Sequence, residues 1–288
     1  MPQSLLIRFI ALVGILLSGI GLWVLPGLSL SQATQPYLTV TFLDVGQGDA
    51  ILIETPDGVQ MLIDGGPDTS VLRELPLALP WFDRTLDIVL GTHPDKDHIA
   101  GLVDVLKNYT VSTIITTENR GETMTATAYR EALVQEGADV VMARSGQVYQ
   151  LGASTTVAIF SPQSDPSMLE TNTASIVAQV RYGDIEFMLT GDAPAGIERY
   201  LVGAYGDQLE SEVLKLGHHG SKTSSSDEFL AAVNPRFAVV SAGKDNTYGH
   251  PSADAVKRVT DRNIPLVSTI DEGTITFATD GISIWNVR

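Results

Sequence analysis

From residue 37 onward the apolar positions fall into short runs of strand length. Tyr37–Leu43, Ala50–Glu54 and Val59–Ile63 are β-branched or aliphatic. Thr55-Pro56-Asp57-Gly58 is turn chemistry, so the second and third runs predict a hairpin. Leu86–Gly91 suits a buried strand, after which Ile99–Asn108 changes to helical spacing. Helical patterns recur at Ala126–Gln135, Pro194–Val202, Ser226–Val233 and Ala253–Val259. Between them lie strand-like runs at Ser112–Thr116, Val140–Met142, Thr155–Phe160, Ser175–Arg181 and Ile185–Leu189. Later strands are expected at Leu214–Leu216, Phe237–Val240, Leu266–Ser268, Thr274–Phe277 and Ile282–Trp285. Hairpins and strand–helix alternations occur once in each half of the chain. That order predicts an α/β fold of two mixed sheets stacked on each other, with helices outside. No internal repeat or low-complexity stretch interrupts it.

The first segment follows a different pattern. No charged residue occurs between Arg8 and Asp44, and Phe9–Leu25 is apolar apart from small residues such as Gly14 and Ser18. A helix needs roughly 20 residues to cross the hydrocarbon core, and Leu5–Leu30 can supply them with Arg8 snorkelling at one end. Residues 1–36 are therefore read as a transmembrane anchor or signal segment plus linker, and 37–288 as one domain. Arg8 favours a cytoplasmic start, which places the domain outside the membrane. Ser31-Gln32-Ala33 offers the small residues of a signal cleavage site, so secretion after cleavage is the alternative. The apolar stretch is longer than a usual signal core and favours the anchor. A buried helix is the remaining reading.

Composition narrows the chemistry. Hydrophobic residues make up 44% of the 288 and charged residues 18%, a globular balance. The formal charge of −16 argues against holding nucleic acid through a broad basic surface. There is no cysteine, which excludes disulfides, thiolate metal sites and a cysteine nucleophile. Any metal must be held by His, Asp, Glu or Asn.

Residues able to do so gather at predicted strand ends. His93-Pro94-Asp95-Lys96-Asp97-His98 puts four potential ligands into six residues, between Leu86–Gly91 and a helix. Strand C-termini open into clefts in α/β folds, which suits a metal site. The plainer alternative is a turn and helix cap, with Asp97 capping and His98 incidental. Asp192 ends another apolar run, although an isolated Gly-Asp is ordinarily turn chemistry. His218-His219-Gly220-Ser221 follows Val213–Gly217, and His250 follows Phe237–Ser241. All five histidines of the chain, 93, 98, 218, 219 and 250, thus lie just beyond predicted strands, which points to one shared site.

These motifs resemble the metallo-β-lactamase superfamily, and more narrowly the extracytoplasmic hydrolase domain of the ComEC family of DNA-uptake channel proteins. The matching residues are Leu43–Ala50 (with Gln47 and Asp49), Leu62–Gly66, His93–His98, Asn172 with Ser175, Thr190–Asp192, Leu214–Ser221 and Tyr248–Pro251. The other membrane spans and DNA-receptor regions of that family have no counterpart here. The resemblance implies a metallo-β-lactamase-like four-layer αβ/βα sandwich over 37–288 with two divalent ions. It implies His93 and Asp95 on the first ion, Asp97 and His98 on the second, Asp192 between them and His218 completing the shell. His219 or His250 would stand near the reacting group, with Asp97 also counted among the catalytic residues. Asp95 stands where a second His is commoner, and Asn172 near where a third would fall. Oxygen donors suit harder ions, so Mn²⁺ or Mg²⁺ competes with Zn²⁺.

Two divalent ions outweigh the charge of Asp95, Asp97 and Asp192, so the overall acidity need not repel a phosphodiester. They would also bring the pKa of bridging water down to about 7. Gln47, Asp49 and Asp64 are expected to orient ligands from behind, together with Asn172. Lys96, Lys215, Lys222 and Lys244 flank the motifs and could hold phosphates, with Tyr248 beside them. The expected function is a metal-dependent phosphodiesterase or nuclease acting on DNA outside the cytoplasmic membrane, with a separate uptake-channel protein as partner. Two alternatives stay open: hydrolysis of a cell-wall or lipid head-group ester, and a non-catalytic metal-binding domain.

Overall fold

The computed structural model describes residues 36–287. The expected membrane segment and most of its linker lie outside the described residues. Among the described residues no helix is long and apolar enough to cross a membrane.

The chain builds one sheet, then a second, and returns to the first. Strands β1 (Leu38–Phe42), β2 (Ile51–Glu54), β3 (Gln60–Ile63), β4 (Thr85–Leu90), β5 (Thr110–Thr116) and β6 (Asp139–Met142) come first. Then follow β7 (Val148–Leu151), β8 (Thr155–Ser161), β9 (Val177–Tyr182), β10 (Ile185–Leu189), β11 (Val213–Lys215), β12 (Phe237–Val240) and β13 (Leu266–Ser268). Finally β14 (Ile275–Thr279) and β15 (Ile284–Val287) pair back beside β1. The sheet orders are β15-β14-β1-β2-β3-β4-β5-β6 and β13-β12-β11-β10-β9-β8-β7. Both are mixed. In each, hairpin-linked antiparallel strands give way to parallel ones after β3 and after β10. The expectation of two mixed sheets holds.

Side-chain alternation explains the layers. In β2 and β3, Ile51, Ile53, Met61 and Ile63 point between the sheets, where they meet Val157, Val180, Phe187 and Val239 from the second sheet. Leu52 and Leu62, one residue out of phase, pack instead against Leu75, Ile99, Leu102 and Val105 on the outer helices. The second sheet repeats the arrangement, with Met188, Leu214 and Val240 under Leu201, Phe229 and Val259. Phe237 and Phe277 meet across the middle layer with ring centroids 5.3 Å apart. The result is helix, sheet, sheet, helix.

Two helices and one strand have no counterpart in the sequence reading. The helix Val71–Ala78 contains Pro76, which lacks an N–H and normally signals a break. It survives because Val71 and Leu75 are buried against the first sheet. The helix Thr269–Glu272 and strand β7 are only four residues each, too short to show a period.

Candidate metal centre

Strand β4 of the first sheet and the mutually parallel β10, β11 and β12 of the second all run toward one end of the sandwich, and the ligand-bearing loops follow them. The loop after β4 opens the helix Lys96–Asn108, whose N-cap is Asp95. Asp95 makes no side-chain cap bond, so its carboxylate is not spent on the helix. Asp97 and His98 therefore lie on the first helical turn, and His98 is inside an element rather than before it. After β11, His218 and His219 both adopt left-handed backbone, at φ 51° and 53°. That conformation is uncommon for non-glycine residues and throws the two adjacent rings in different directions. His219 is buried, whereas the His218 side chain is 29% exposed.

Close approach of loops demands glycine at two places. A Cβ on Gly48 would lie 2.2 Å from the Asp97 carbonyl, where Asp49 N–H donates to that carbonyl at 3.2 Å. A Cβ on Gly101 would lie 1.8 Å from the Gly65 carbonyl, where the Asp64–Gly66 turn crosses the helix. These contacts carry Asp49 and Asp64 in behind the histidines.

Around Asp192 the polar atoms are close but not hydrogen-bonded to one another. His93 Nε2 is 3.9 Å from Asp192 Oδ2 and 3.7 Å from Asp95 Oδ2, and His218 Nε2 is 3.8 Å from Asp192 Oδ2. On the other flank His98 Nε2 is 3.3 Å from Asp192 Oδ1, and His219 Nε2 is 3.6 Å from Asp192 Oδ2 and 3.3 Å from Asp97 Oδ2. Two ligands of one tetrahedral ion, each at ~2.1 Å, stand ~3.4 Å apart. The Nε2 atoms of His93, His98 and His219 and Oδ1 of Asp192 are buried without hydrogen-bond partners. Such groups are costly in a folded protein unless something else binds them. The residues fit a divalent metal site.

The opposite ring nitrogens are all occupied. Asp64 accepts from His98 Nδ1 at 2.7 Å, from Thr92 Oγ1 at 2.7 Å and from Thr92 N–H at 2.8 Å. With its proton given to Asp64, Thr92 Oγ1 accepts from His93 Nδ1 at 3.0 Å. His219 Nδ1 donates to the Ser241 carbonyl at 3.0 Å. This network places a proton on Nδ1 of all three rings, so that each ring, when neutral, turns its Nε2 lone pair toward Asp192. Asp49, His98, Asp192 and His219 offer atoms within 4.8 Å of one another. Asp49, however, faces the rings from behind, its oxygens 3.4 Å from His219 Nδ1 and 3.9 Å from His98 Nδ1. It also pairs with Lys215, fully buried beneath the site.

Charges follow from this crowding. Burial would raise the Asp49 carboxyl, but Lys215 and His219 outweigh it and hold it at about 2. Burial likewise opposes ionisation of Asp192 and Asp97, and the neighbouring histidines overcome it and push both carboxyls down. Burial would lower His98 and His219, yet the carboxylates raise both, His219 to about 9. His93, with fewer anions beside it, is depressed by burial to about 3. Burial also raises Asp64 and Asp95. Without an ion, protons on His98 and His219 are the counter-charge to the carboxylates, and a cation would take their place.

The remaining predicted residues spread around the mouth. The His250 ring is 5.4 Å from His218 and 6.5 Å from His219, centroid to centroid, and Tyr248 stacks on it at 5.9 Å. Burial first, then His218 and His219, lower the His250 pKa. Gln47 accepts from Gly243 N–H at 3.1 Å and so ties its loop to the one after β12. Asn172 begins a short 3₁₀ turn and leaves Oδ1 buried without a partner. Lys96, Lys222 and Lys244 are exposed. Lys215 is not, which corrects its reading as a phosphate-holding cation: its ammonium is committed to Asp49. No sequence signal marks that burial except its place in a three-residue strand between Leu214 and Leu216.

A sequence model described as Metallo-beta-lactamase superfamily matches residues 43–244. ComE operon protein 3 of Bacillus subtilis (strain 168) is 28% identical over 83% of this chain and 32% of its own length. Competence protein ComA of Neisseria gonorrhoeae is 33% identical, again over 83% of this chain and 32% of its own. The chain thus spans about a third of the length of these relatives. Among solved structures, the metallo-beta-lactamase fold protein YhfI from Bacillus subtilis superposes with a TM-score of 0.52 at 12% identity, covering 80% of this chain and 95% of that one. That likeness is one of fold. The chain belongs to the metallo-β-lactamase superfamily and resembles its ComEC-type members.

Proposed function

We propose that this metal-dependent hydrolase is a phosphodiesterase acting on DNA outside the cytoplasmic membrane, to which residues 1–36 anchor it. The observation that carries the reading is the set of orphaned Nε2 and carboxylate atoms around Asp192. His93, Asp95 and His218 would hold one divalent ion and Asp97, His98 and His219 a second, with Asp192 shared. Asp49, Asp64 and Thr92 act through the rings, fixing their tautomers and orientation. Bound ions supply Lewis-acid polarisation of the phosphoryl oxygens and lower the pKa of water. His250, half-buried at the mouth and kept neutral at pH 7, accepts a proton from attacking water and returns it to the leaving oxygen. Tyr248, 71% exposed, offers a face on which a nucleobase can stack, and Lys222 and Lys244 lie on the adjoining loops. The name of one relative, a competence protein, supports a competence-related role; in this reading a separate uptake-channel protein is the partner.

The charge of −16 favours a second substrate class, a wall-polymer or lipid head-group ester, which needs no extended basic track. The full chain, loaded with Mn²⁺, Zn²⁺ or Mg²⁺, should be incubated with DNA and a panel of phosphodiesters, with its metal content measured in parallel. Two ions per chain and cleavage of DNA are expected. Cleavage of the other esters alone would transfer the assignment to the second class. Bound ions with no turnover would leave a binding domain.

A further inference from the structure

Strand register separates the two ends of the first sheet. β1 ends at Phe42, opposite Ile51 of β2, and Ile51 is paired with Ile63, which lies beside Leu90. The metal-centre loops follow Phe42, Ile63 and Leu90. β1 begins at Leu38 opposite Thr279, at the other end, with the 55–58 turn, the loop before Thr85 and the 280–283 turn. The length of β1 puts these two ends at least ~13 Å apart.

That far end carries large apolar side chains in water. Trp81 is 80% exposed, Ile282 76% and Phe82 59%, and Leu77, late in the helix Val71–Ala78, is 80% exposed. Trp81 and Phe82 form an edge-to-face pair at 5.7 Å, and Tyr37 meets Trp285 in the same way at 5.0 Å. Tyr37, Leu77 and Trp285 line one groove of about 520 Å³. Both tryptophans of the described residues are at this end.

We propose that this end of the domain rests on a lipid bilayer, with Trp81, Phe82, Leu77 and Ile282 entering the head-group region and the metal centre facing away from the membrane. The proposal rests on the membrane-anchored reading above. The chain enters the domain at this end: only residues 31–36 separate Leu38 and its neighbour Tyr37 from the apolar stretch Leu5–Leu30. Six residues reach at most ~20 Å, so a membrane holding that stretch is never far from Tyr37. Tryptophan and tyrosine favour the head-group level, where an apolar ring and a polar edge are both accommodated. An acidic chain with no polybasic patch would dock through this aromatic surface, at a zwitterionic rather than an anionic membrane. The arrangement leaves the mouth at Tyr248 and His250 open to a polymer arriving from outside.

The absence of native cysteine allows a direct test. Phe82→Cys, Leu77→Cys and Ile282→Cys in the full chain, each spin-labelled and reconstituted into phosphatidylcholine vesicles, are compared with Met124→Cys. Met124, 91% exposed, follows β5 at the metal-centre end. Labels at 77, 82 and 282 should shift their collisions from a water-soluble nickel chelate toward oxygen, while 124 stays aqueous. Vesicle-bound protein with all four labels aqueous would overturn the proposal and leave the anchor standing. Protein that does not float with vesicles would overturn both. Dipolar broadening between labels at 82 in neighbouring chains, without oxygen preference, would overturn it in favour of a second copy as the occupant.

Discussion

The two ends of this sandwich are built from the same kinds of strand and turn, yet they obey different rules. At the end away from the metal centre the 55–58 turn satisfies itself: Thr55 Oγ1 donates to Asp57 at 2.6 Å and accepts from Val59 N–H at 2.9 Å. At the other end Asp64, His218 and His219 hold left-handed backbone, three histidine Nε2 atoms lack partners, and a lysine is buried whole. Each departure would be a defect in a purely structural loop. Together they describe a cradle that is complete only with cations in it. Strain and unsatisfied groups collect where a ligand repays them.

Five measurements would break or sharpen this contrast. The largest effect is expected from Asp192→Ala, which removes the carboxylate common to both flanks. Hydrolysis should fall by ~10³-fold or more while circular dichroism stays unchanged, because three apolar layers hold the fold. Wild-type activity with both ions bound would show that Asp192 is not shared. Next is Lys215→Met. It leaves Asp49 charged and buried without its cation, so urea unfolding of the metal-free protein should report a loss of about 3–5 kcal/mol. Adding Asp49→Leu should recover part of it.

Asp64→Ala comes third. It frees the Nδ1 side of His98 and, through Thr92, of His93, so metal affinity should drop about 10–100-fold in a competition titration. Unchanged affinity would mean the ring tautomers are set elsewhere.

A fourth test uses pH. In the metal-free protein His219 is raised from 6.5 to about 9, and His98 is raised as well. Their contribution to stability is fully present below about 6.5 and is lost as pH rises through about 9. Chelated protein should therefore weaken from pH 6.5 to 9.5, whereas metal-loaded protein should not, and metal binding at pH 7 should release protons. A flat profile for chelated protein would contradict the charged rings. The smallest effect belongs to the far end. Thr55→Ala should lower stability by about 1 kcal/mol and leave hydrolysis untouched. A change in activity there would link the two ends.

Much of this was legible without coordinates. The hairpin at Thr55–Gly58, the strands Ile185–Leu189, Phe237–Val240 and Leu266–Ser268, and the helices around residues 99, 126 and 253 stand where the apolar period places them. Pro76 hid a helix because local propensity and tertiary burial disagree there, and burial prevails. The histidines were visible as a group because each follows or adjoins a strand terminus. Their division of labour was not. His218 and His219 are neighbours in sequence, and only two consecutive left-handed residues send one ring to the mouth and the other beneath Asp192.

The amino-acid order by itself determined the layers, since alternation of apolar residues dictates which face of each strand is covered. It also determined the chemistry available: no thiol, five histidines, and carboxylates at strand ends. Tertiary structure alone decided which nitrogen of each ring is free, because that depends on Asp64 and Ser241 arriving from other loops, Asp64 acting on His93 through its chain neighbour Thr92. It alone decided that Lys215 is a buried counter-charge, because the charge that offsets the lysine's burial comes from a partner 166 positions away in the chain. Local pattern reports what each residue could do. The energy of a buried charge or an unpaired lone pair depends on groups distant in sequence, and only the folded chain brings them together.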